Sequence, residues 1–104
     1  MIVIERPRQS GKTTILLHYM AVDSSAIYVT RLEEYAKRAF QLSQELGLKL
    51  DRDRFFSMAG FLPKLYHNPG IKILVDDADY IIKRHFELGL RLIKQADIVT
   101  IVEE

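Results

Sequence analysis

Short apolar runs alternate along this chain with longer segments in which apolar residues recur at helical spacing. The runs typical of buried strands lie at residues 2–4, 26–29, 71–75 and 98–102. The segments with helical spacing lie between them, at residues 12–20, 32–46 and 80–94. This alternation predicts an α/β fold with a largely parallel sheet.

Two stretches carry more specific local signals. Residues 30–33 (Thr-Arg-Leu-Glu) match a capping box, which predicts that the Thr30 hydroxyl caps the second helix with Glu33 reaching back. Gly47 is the expected C-terminal cap of that helix. Residues 48–65 are ambiguous, and the Phe-Phe-Ser-Met sequence at 55–58 is either a strand or the entry to a short helix.

Composition narrows the class of protein. The chain has 104 residues, which predicts one domain over residues 1–104. It has no Cys, which excludes a disulfide framework, a thiolate metal site and a Cys nucleophile. The formal charge is only +1, which excludes a strongly basic arm or an acidic tail.

The sequence has no apolar run long enough to span a membrane and no signal-peptide pattern. We therefore expect a cytoplasmic protein and no membrane partner.

The first candidate site is the loop between the first strand and the first helix. Residues 10–14 read Ser-Gly-Lys-Thr-Thr, and a phosphate-binding loop occupies this position. Backbone amides and the helix N-terminus would face the phosphates, and Gly11 would let the backbone approach them. Lys12 would reach the outer phosphates, Thr13 would ligate Mg²⁺ and Thr14 would touch an inner phosphate. The plainer alternative is an ordinary polar loop before a helix.

The second candidate site follows the apolar run at residues 71–75. Asp76, Asp77 and Asp79 come directly after this run, where ligands gather in open parallel sheets. We expect Asp76 to hold Mg²⁺ through water, facing Thr13, and Asp77 to orient or deprotonate a water molecule. The alternative is that Asp77 and Asp79 only cap the following helix, and for Asp79 this alternative is favoured.

Together these motifs resemble a known family. Residues 7–13 (Pro-Arg-Gln-Ser-Gly-Lys-Thr) resemble the Walker A loop of phage terminase large-subunit ATPases and related helicase-like P-loop ATPases. Residues 75–79 (Val-Asp-Asp-Ala-Asp) resemble their Walker B segment. The resemblance implies a three-layer P-loop NTPase fold with a mostly parallel sheet of four or five strands. It also implies the strand order 1-4-3-2, with the last strand beside the first.

The resemblance also implies roles for individual residues. Arg8 falls where terminases carry an arginine that stabilises transition-state charge. The residues expected around ATP form one run: Arg8, Gln9, Ser10, Gly11, Lys12, Thr13 and Thr14. Asp77, Arg8 and Lys12 are then the expected catalytic residues, with Thr13 and Asp76 on the metal. A polar sensor residue ends the last strand in this family, and Glu103 or Thr100 could fill that role.

Some features depart from the family pattern. Arg6 replaces the first Gly of the loop, Asp77 replaces the usual catalytic Glu, and the chain is expected to end at its fourth strand. The first hypothesis is an ATP-binding, ATP-hydrolysing module of a phage or mobile element. It would work with DNA or a nucleic-acid machine, as a homo-oligomer or with a larger protein partner. The second is a non-hydrolysing P-loop remnant that acts as a protein-interaction or regulatory module, with a partner covering an exposed sheet edge. A small-molecule kinase is less favoured, because no Arg-rich lid is visible.

Basic residues cluster on two predicted helices. These residues are Arg31, Lys37, Arg38, Lys83, Arg84, Arg91 and Lys94. They could face DNA phosphates. The favoured alternative is that they lie on solvated helix faces mixed with glutamates.

Overall fold

The computed structural model describes residues 1–6, 11–61 and 70–102. The strands are β1 (Ile2–Arg6), β2 (Ala26–Thr30), β3 (Phe55–Ser57), β4 (Lys72–Val75) and β5 (Ile98–Val102). The helices are α1 (Lys12–Val22), α2 (Glu33–Glu45), the single turn α3 (Met58–Phe61), α4 (Ala78–Arg84) and α5 (Phe86–Gln95). This order confirms the predicted α/β class.

All five strands are parallel, in the order β1-β5-β4-β2-β3. The four predicted strands therefore follow the expected order, with β5 inserted between β1 and β4. The ambiguous stretch forms both of the structures considered for it, the strand β3 and then the turn α3. The expectation that the chain ends at its fourth strand is wrong, because β3 is an additional strand and pairs with the outer edge of β2.

One face of the sheet packs against α1 and α2. Alternate strand positions, Tyr28, Leu74 and Ile98, contribute to this face and form one buried cluster with Leu16 of α1 and Ala36 of α2. A strand presents every second residue to the same face, so a single register places all three strand residues together. This helical layer holds the beginning of α1 close to the ends of the central strands.

The opposite face packs against α3, α4 and α5. The intervening strand residues Val29, Val75 and Val99 form a second buried cluster with Ile81 of α4 and Leu92 of α5. The sheet therefore lies between two helical layers. None of the described helices is long and apolar enough to span a membrane.

β1 differs from the predicted buried strand. Ile2 and Val3 are 58% and 51% exposed, because β1 is an edge strand of the sheet. Ile4 packs against the cluster on the α1 and α2 face. Of the apolar run at residues 2–4, only Ile4 therefore packs against the core.

The predicted capping box does not form. Helix α2 begins at Glu33 after Leu32, with no side-chain hydrogen bond at the cap. Thr30 instead ends β2, where it pairs with Ser57 and is 1% exposed. Extension of the strand by one residue directs the Thr30 side chain into the protein, so it cannot cap the helix.

The single helix expected over residues 80–94 is two helices. α4 ends at Arg84, and the backbone turns at His85 (φ −139°, ψ 72°) before α5. A Cβ added at Gly89 would lie 3.2 Å from the Ile81 carbonyl oxygen. Gly89 therefore allows α5 to approach the backbone of α4 closely after the turn.

Candidate functional site

Helix α1 begins at the carboxyl end of the sheet, directly after Gly11. Gly11 has φ 85° and ψ 19°, in the left-handed region that favours glycine. A Cβ at this position would meet nothing within 4 Å, so the need for glycine comes from the backbone angle alone. The turn places Lys12 and Thr13 in the first turn of α1, facing the end of β4.

Asp76, the residue after β4, is the centre of a buried hydrogen-bond network. It is 2% exposed. Its Oδ2 accepts from the Thr13 hydroxyl at 2.6 Å and from the Tyr28 hydroxyl at 2.6 Å, and its Oδ1 accepts from the Thr100 hydroxyl. Hydrogen bonds to a carboxylate are among the stronger ones in proteins. Three hydroxyls from α1, β2 and β5 therefore hold this carboxylate in place.

Asp77 pairs with Lys12. The Lys12 ammonium lies 3.1 Å from Asp77 Oδ1, and the two side chains are 8% and 28% exposed. Burial raises the pKa of the Asp77 carboxyl, the neighbouring Asp76 charge raises it further, and Lys12 acts in the opposite direction. The two acids thus differ in partner and in exposure.

The backbone at Asp77 is also unusual. Its φ of 54° and ψ of 50° lie in the left-handed region, where a residue with a Cβ is strained. The Asp77 amide donates to the Thr100 hydroxyl oxygen at 2.8 Å. Thr100 therefore contacts both acids, and it holds the strained residue in position from the neighbouring strand.

Tyr28 belongs to the site as well as to the core, which the sequence reasoning missed. Its ring is 2% exposed, and burial followed by the Asp76 charge raises its pKa well above the usual tyrosine value. It therefore remains a hydroxyl donor. The available signal was a tyrosine rather than a phenylalanine in a buried strand, since a buried phenol needs a partner.

The structure brings four of the predicted site residues together: Lys12, Thr13, Asp76 and Asp77. Thr14 lies half-buried in the first turn of α1. Of the two proposed sensor residues, Thr100 reaches the site. The remaining predicted residues lie outside the described part of the chain, namely Arg8, Gln9, Ser10 and Glu103.

Both Asp77 and Asp79 stand at the beginning of α4, where the capping alternative places them. Asp77 occupies the N-cap position of α4, but its side chain makes no capping hydrogen bond there. Asp79 lies within the first turn of the helix, and one of its carboxylate oxygens is buried without a hydrogen-bond partner among the described residues. An acid in this turn still interacts favourably with the helix dipole.

A pocket of about 220 Å³ opens beside the two acids. Thr13, Asp76 and Asp77 line it on one side, and Tyr35 and Arg38 of α2 line it on another. The pocket gives a ligand access to the hydroxyl and carboxylate oxygens at the end of the sheet.

Thr13 and Asp76 could together hold a metal ion that takes its other ligands from water or phosphate. Among residues 1–6, 11–61 and 70–102, no group of three or more His, Cys, Asp or Glu side chains could hold a metal ion. One hydroxyl and one carboxylate, Thr13 and Asp76, lie together instead. Mg²⁺ commonly binds one or two protein groups, keeps several waters and takes its other ligands from substrate phosphates.

No known protein-family model matches this chain, and no curated protein matches it. Its function is therefore inferred from the residues of the site and from the motifs that supply them.

Proposed function

We propose that this chain is a P-loop domain that binds ATP with Mg²⁺ and hydrolyses it. The observation that carries the proposal is the 2.6 Å hydrogen bond from Thr13 to Asp76. It joins the hydroxyl that follows the loop lysine to the carboxylate that ends the neighbouring strand. P-loop sites use this pair of residue types on either side of Mg²⁺.

Lys12 and the beginning of α1 would bind the phosphates. The backbone amides of the first helical turn carry partial positive charge, and Lys12 adds a full charge beside them. In this structure the Lys12 ammonium pairs with Asp77. A bound phosphate would therefore replace one anionic partner of Lys12 with another. Mg²⁺ would neutralise charge on the outer phosphates from the side of Thr13 and Asp76.

Asp77 would orient or deprotonate the attacking water. Its raised pKa makes it a better proton acceptor than an ordinary aspartate. The hydrogen bond from its amide to Thr100 fixes its backbone. Arg8 completes the proposed set through the resemblance, as the arginine that stabilises charge in the transition state.

The proposed setting is a nucleic-acid machine of the terminase or helicase kind. Its support is the agreement between the observed strand order and the order that the resemblance implies. In such a setting the domain would act as a homo-oligomer or with a larger protein partner.

A second candidate is binding of ATP without hydrolysis. It is favoured by Asp77, which is one methylene shorter than glutamate and pairs with Lys12 at 3.1 Å. A misplacement on the order of 1 Å can cost ~100-fold in rate. A measurement of ATP turnover separates this candidate from the first, because only the first hydrolyses ATP.

The decisive experiment is calorimetric titration of Mg-ATP into the wild type, Lys12→Ala and Lys83→Ala. Lys83 is an exposed lysine on α4, outside the site, and serves as the matched control. We expect micromolar binding by the wild type and by Lys83→Ala, and none by Lys12→Ala. Circular dichroism would verify that each variant is folded.

Equal binding by Lys12→Ala and the wild type would contradict the proposal. Where binding is found, phosphate release with and without DNA gives the next result. Release well above the Lys12→Ala background supports hydrolysis, and release at the background supports the second candidate.

A further inference from the structure

A second pocket, of about 150 Å³, has none of its lining residues in common with the first and lies between the end of β2 and the turn that separates α4 from α5. Arg31 and Leu32 line it from one side, and Ile81, Arg84 and His85 line it from the other. None of these lining residues is acidic. Two arginines and a histidine therefore line a small pocket together with two apolar residues.

Arg31 is held rigidly at this pocket. Its guanidinium carbon lies 4.5 Å from the centre of the Tyr35 ring and 4.4 Å from the centre of the Tyr80 ring. Stacking of this kind covers the faces of a guanidinium and leaves the N–H donors along its edge. Two tyrosines thus hold the Arg31 guanidinium at this pocket while its N–H donors stay available.

One of these donors lacks an acceptor. Arg31 Nε is buried, and no described residue accepts its hydrogen. A buried donor without a partner is costly, and native structures rarely retain one without a reason. An oxygen atom of a ligand would remove that cost.

We propose that this pocket binds a phosphate group. Arg31 and Arg84 carry two fixed positive charges, which favour a dianionic oxyanion over a singly charged carboxylate. Guanidinium groups match phosphate oxygens in geometry as well as in charge. The phosphate is either free orthophosphate or the end of a small phosphate monoester whose organic part rests on Leu32, which is 49% exposed.

The test is a titration of inorganic phosphate into the ¹⁵N-labelled full chain, followed by NMR. It is run on the wild type and on Lys12→Ala, so that binding at the phosphate loop is separated from binding here. We expect saturable shifts of the Arg31, Arg84 and His85 amides in both proteins, and none with acetate at the same concentration and ionic strength. Tighter binding of phenyl phosphate than of orthophosphate identifies a monoester, and the reverse identifies free phosphate.

Arg84→Ala supplies the variant, because Arg84 is exposed and its loss leaves the core intact. Removal of one charge-assisted contact should weaken phosphate binding by about tenfold. Arg91→Ala is the matched control, an exposed arginine on α5 outside the pocket, and should bind like the wild type. Arg31→Lys keeps the charge but loses the stacked fork, and should also weaken binding.

Absence of saturable shifts at the pocket amides would overturn the proposal. Equal weakening by Arg84→Ala and Arg91→Ala would also overturn it, since that result reports only the overall charge. Neither outcome depends on whether Lys12 binds ATP, so this proposal and the proposed ATP site can fail separately.

Discussion

The two ends of the sheet both carry aspartates, but their partners differ. At the amino end, Asp97 accepts from the Ile73 amide at 2.8 Å, and Asp23 accepts from both the amide and the hydroxyl of Ser25, at 3.0 and 2.6 Å. At the carboxyl end, the donors to Asp76 among the described residues are three side-chain hydroxyls. Asp97 therefore joins the loop before β5 to β4, and Asp23 binds within its own loop, whereas Asp76 gathers groups from three separate elements.

The difference in partners gives a way to test which of these acids serves the proposed function. An acid bound to a backbone amide keeps that partner for as long as the fold persists. An acid with no backbone amide among its described donors, such as Asp76 or Asp77, can share or exchange its partner when a ligand arrives. Neither composition nor charge count separates these cases, because all of these residues are aspartates.

The largest expected effect comes from exchanging an acid for its amide at each end. Asp76→Asn removes the charge that would face Mg²⁺, and we expect ATP turnover to fall on the order of 100-fold. Asp97→Asn keeps an oxygen that can accept from the Ile73 amide, and we expect turnover close to that of the wild type. Steady-state phosphate release checks both variants. Equal losses of turnover in Asp76→Asn and Asp97→Asn would contradict the proposed difference between the two ends of the sheet.

A smaller effect is expected at Thr100, which is fully buried. Thr100→Val keeps the side-chain shape but loses the donor to Asp76 and the acceptor for the Asp77 amide. We expect the free energy of unfolding to fall by about 1–3 kcal/mol, measured by urea denaturation, together with a loss of turnover. Thr100→Ser keeps the hydroxyl and should retain turnover. A Val variant as active as the wild type would exclude Thr100 from positioning the acids.

The smallest effect is the pH dependence contributed by Asp23. Hydrogen bonds from the Ser25 hydroxyl and amide lower the pKa of Asp23 in the folded chain. A lowered folded-state pKa stabilises the fold at pH above the unfolded value, and that stabilisation is lost as pH falls through the folded value. Urea denaturation below about pH 4 should therefore show a steeper loss of stability in the wild type than in Asp23→Asn. Identical pH profiles would contradict this assignment.

The sheet was largely predictable from the sequence, because the central strands are apolar runs bounded by polar residues. The ends of the helices were harder to predict than the strands. The capping box at Thr30 failed because pairing with β3 extended the strand by one residue. The last helical segment divides into α4 and α5, and Gly89 of α5 then packs against Ile81 of α4. Because this contact is between two helices, the spacing of apolar residues along the sequence does not reveal it.

The candidate site also has a part that the sequence predicts and a part that it does not. Lys12, Thr13, Asp76 and Asp77 stand in recognisable sequence motifs, so their proximity could be predicted. The hydroxyl of Tyr28 could not be assigned to Asp76 without the register that sets β2 beside β4. The ion pair of Lys12 with Asp77 likewise depends on where the beginning of α1 meets the end of β4.

The position of β5 has a consequence for the order in which the chain can assemble during synthesis. Among the described strands, β1 pairs only with β5, from Ile2 opposite Ile98 to Arg6 opposite Val102. All residues as far as β5 must leave the ribosome before β1 has a partner, and contacts so distant in sequence form slowly. The strand β1, which precedes the proposed phosphate loop, therefore joins the sheet late, and a nascent chain that stops before Ile98 leaves β1 unpaired.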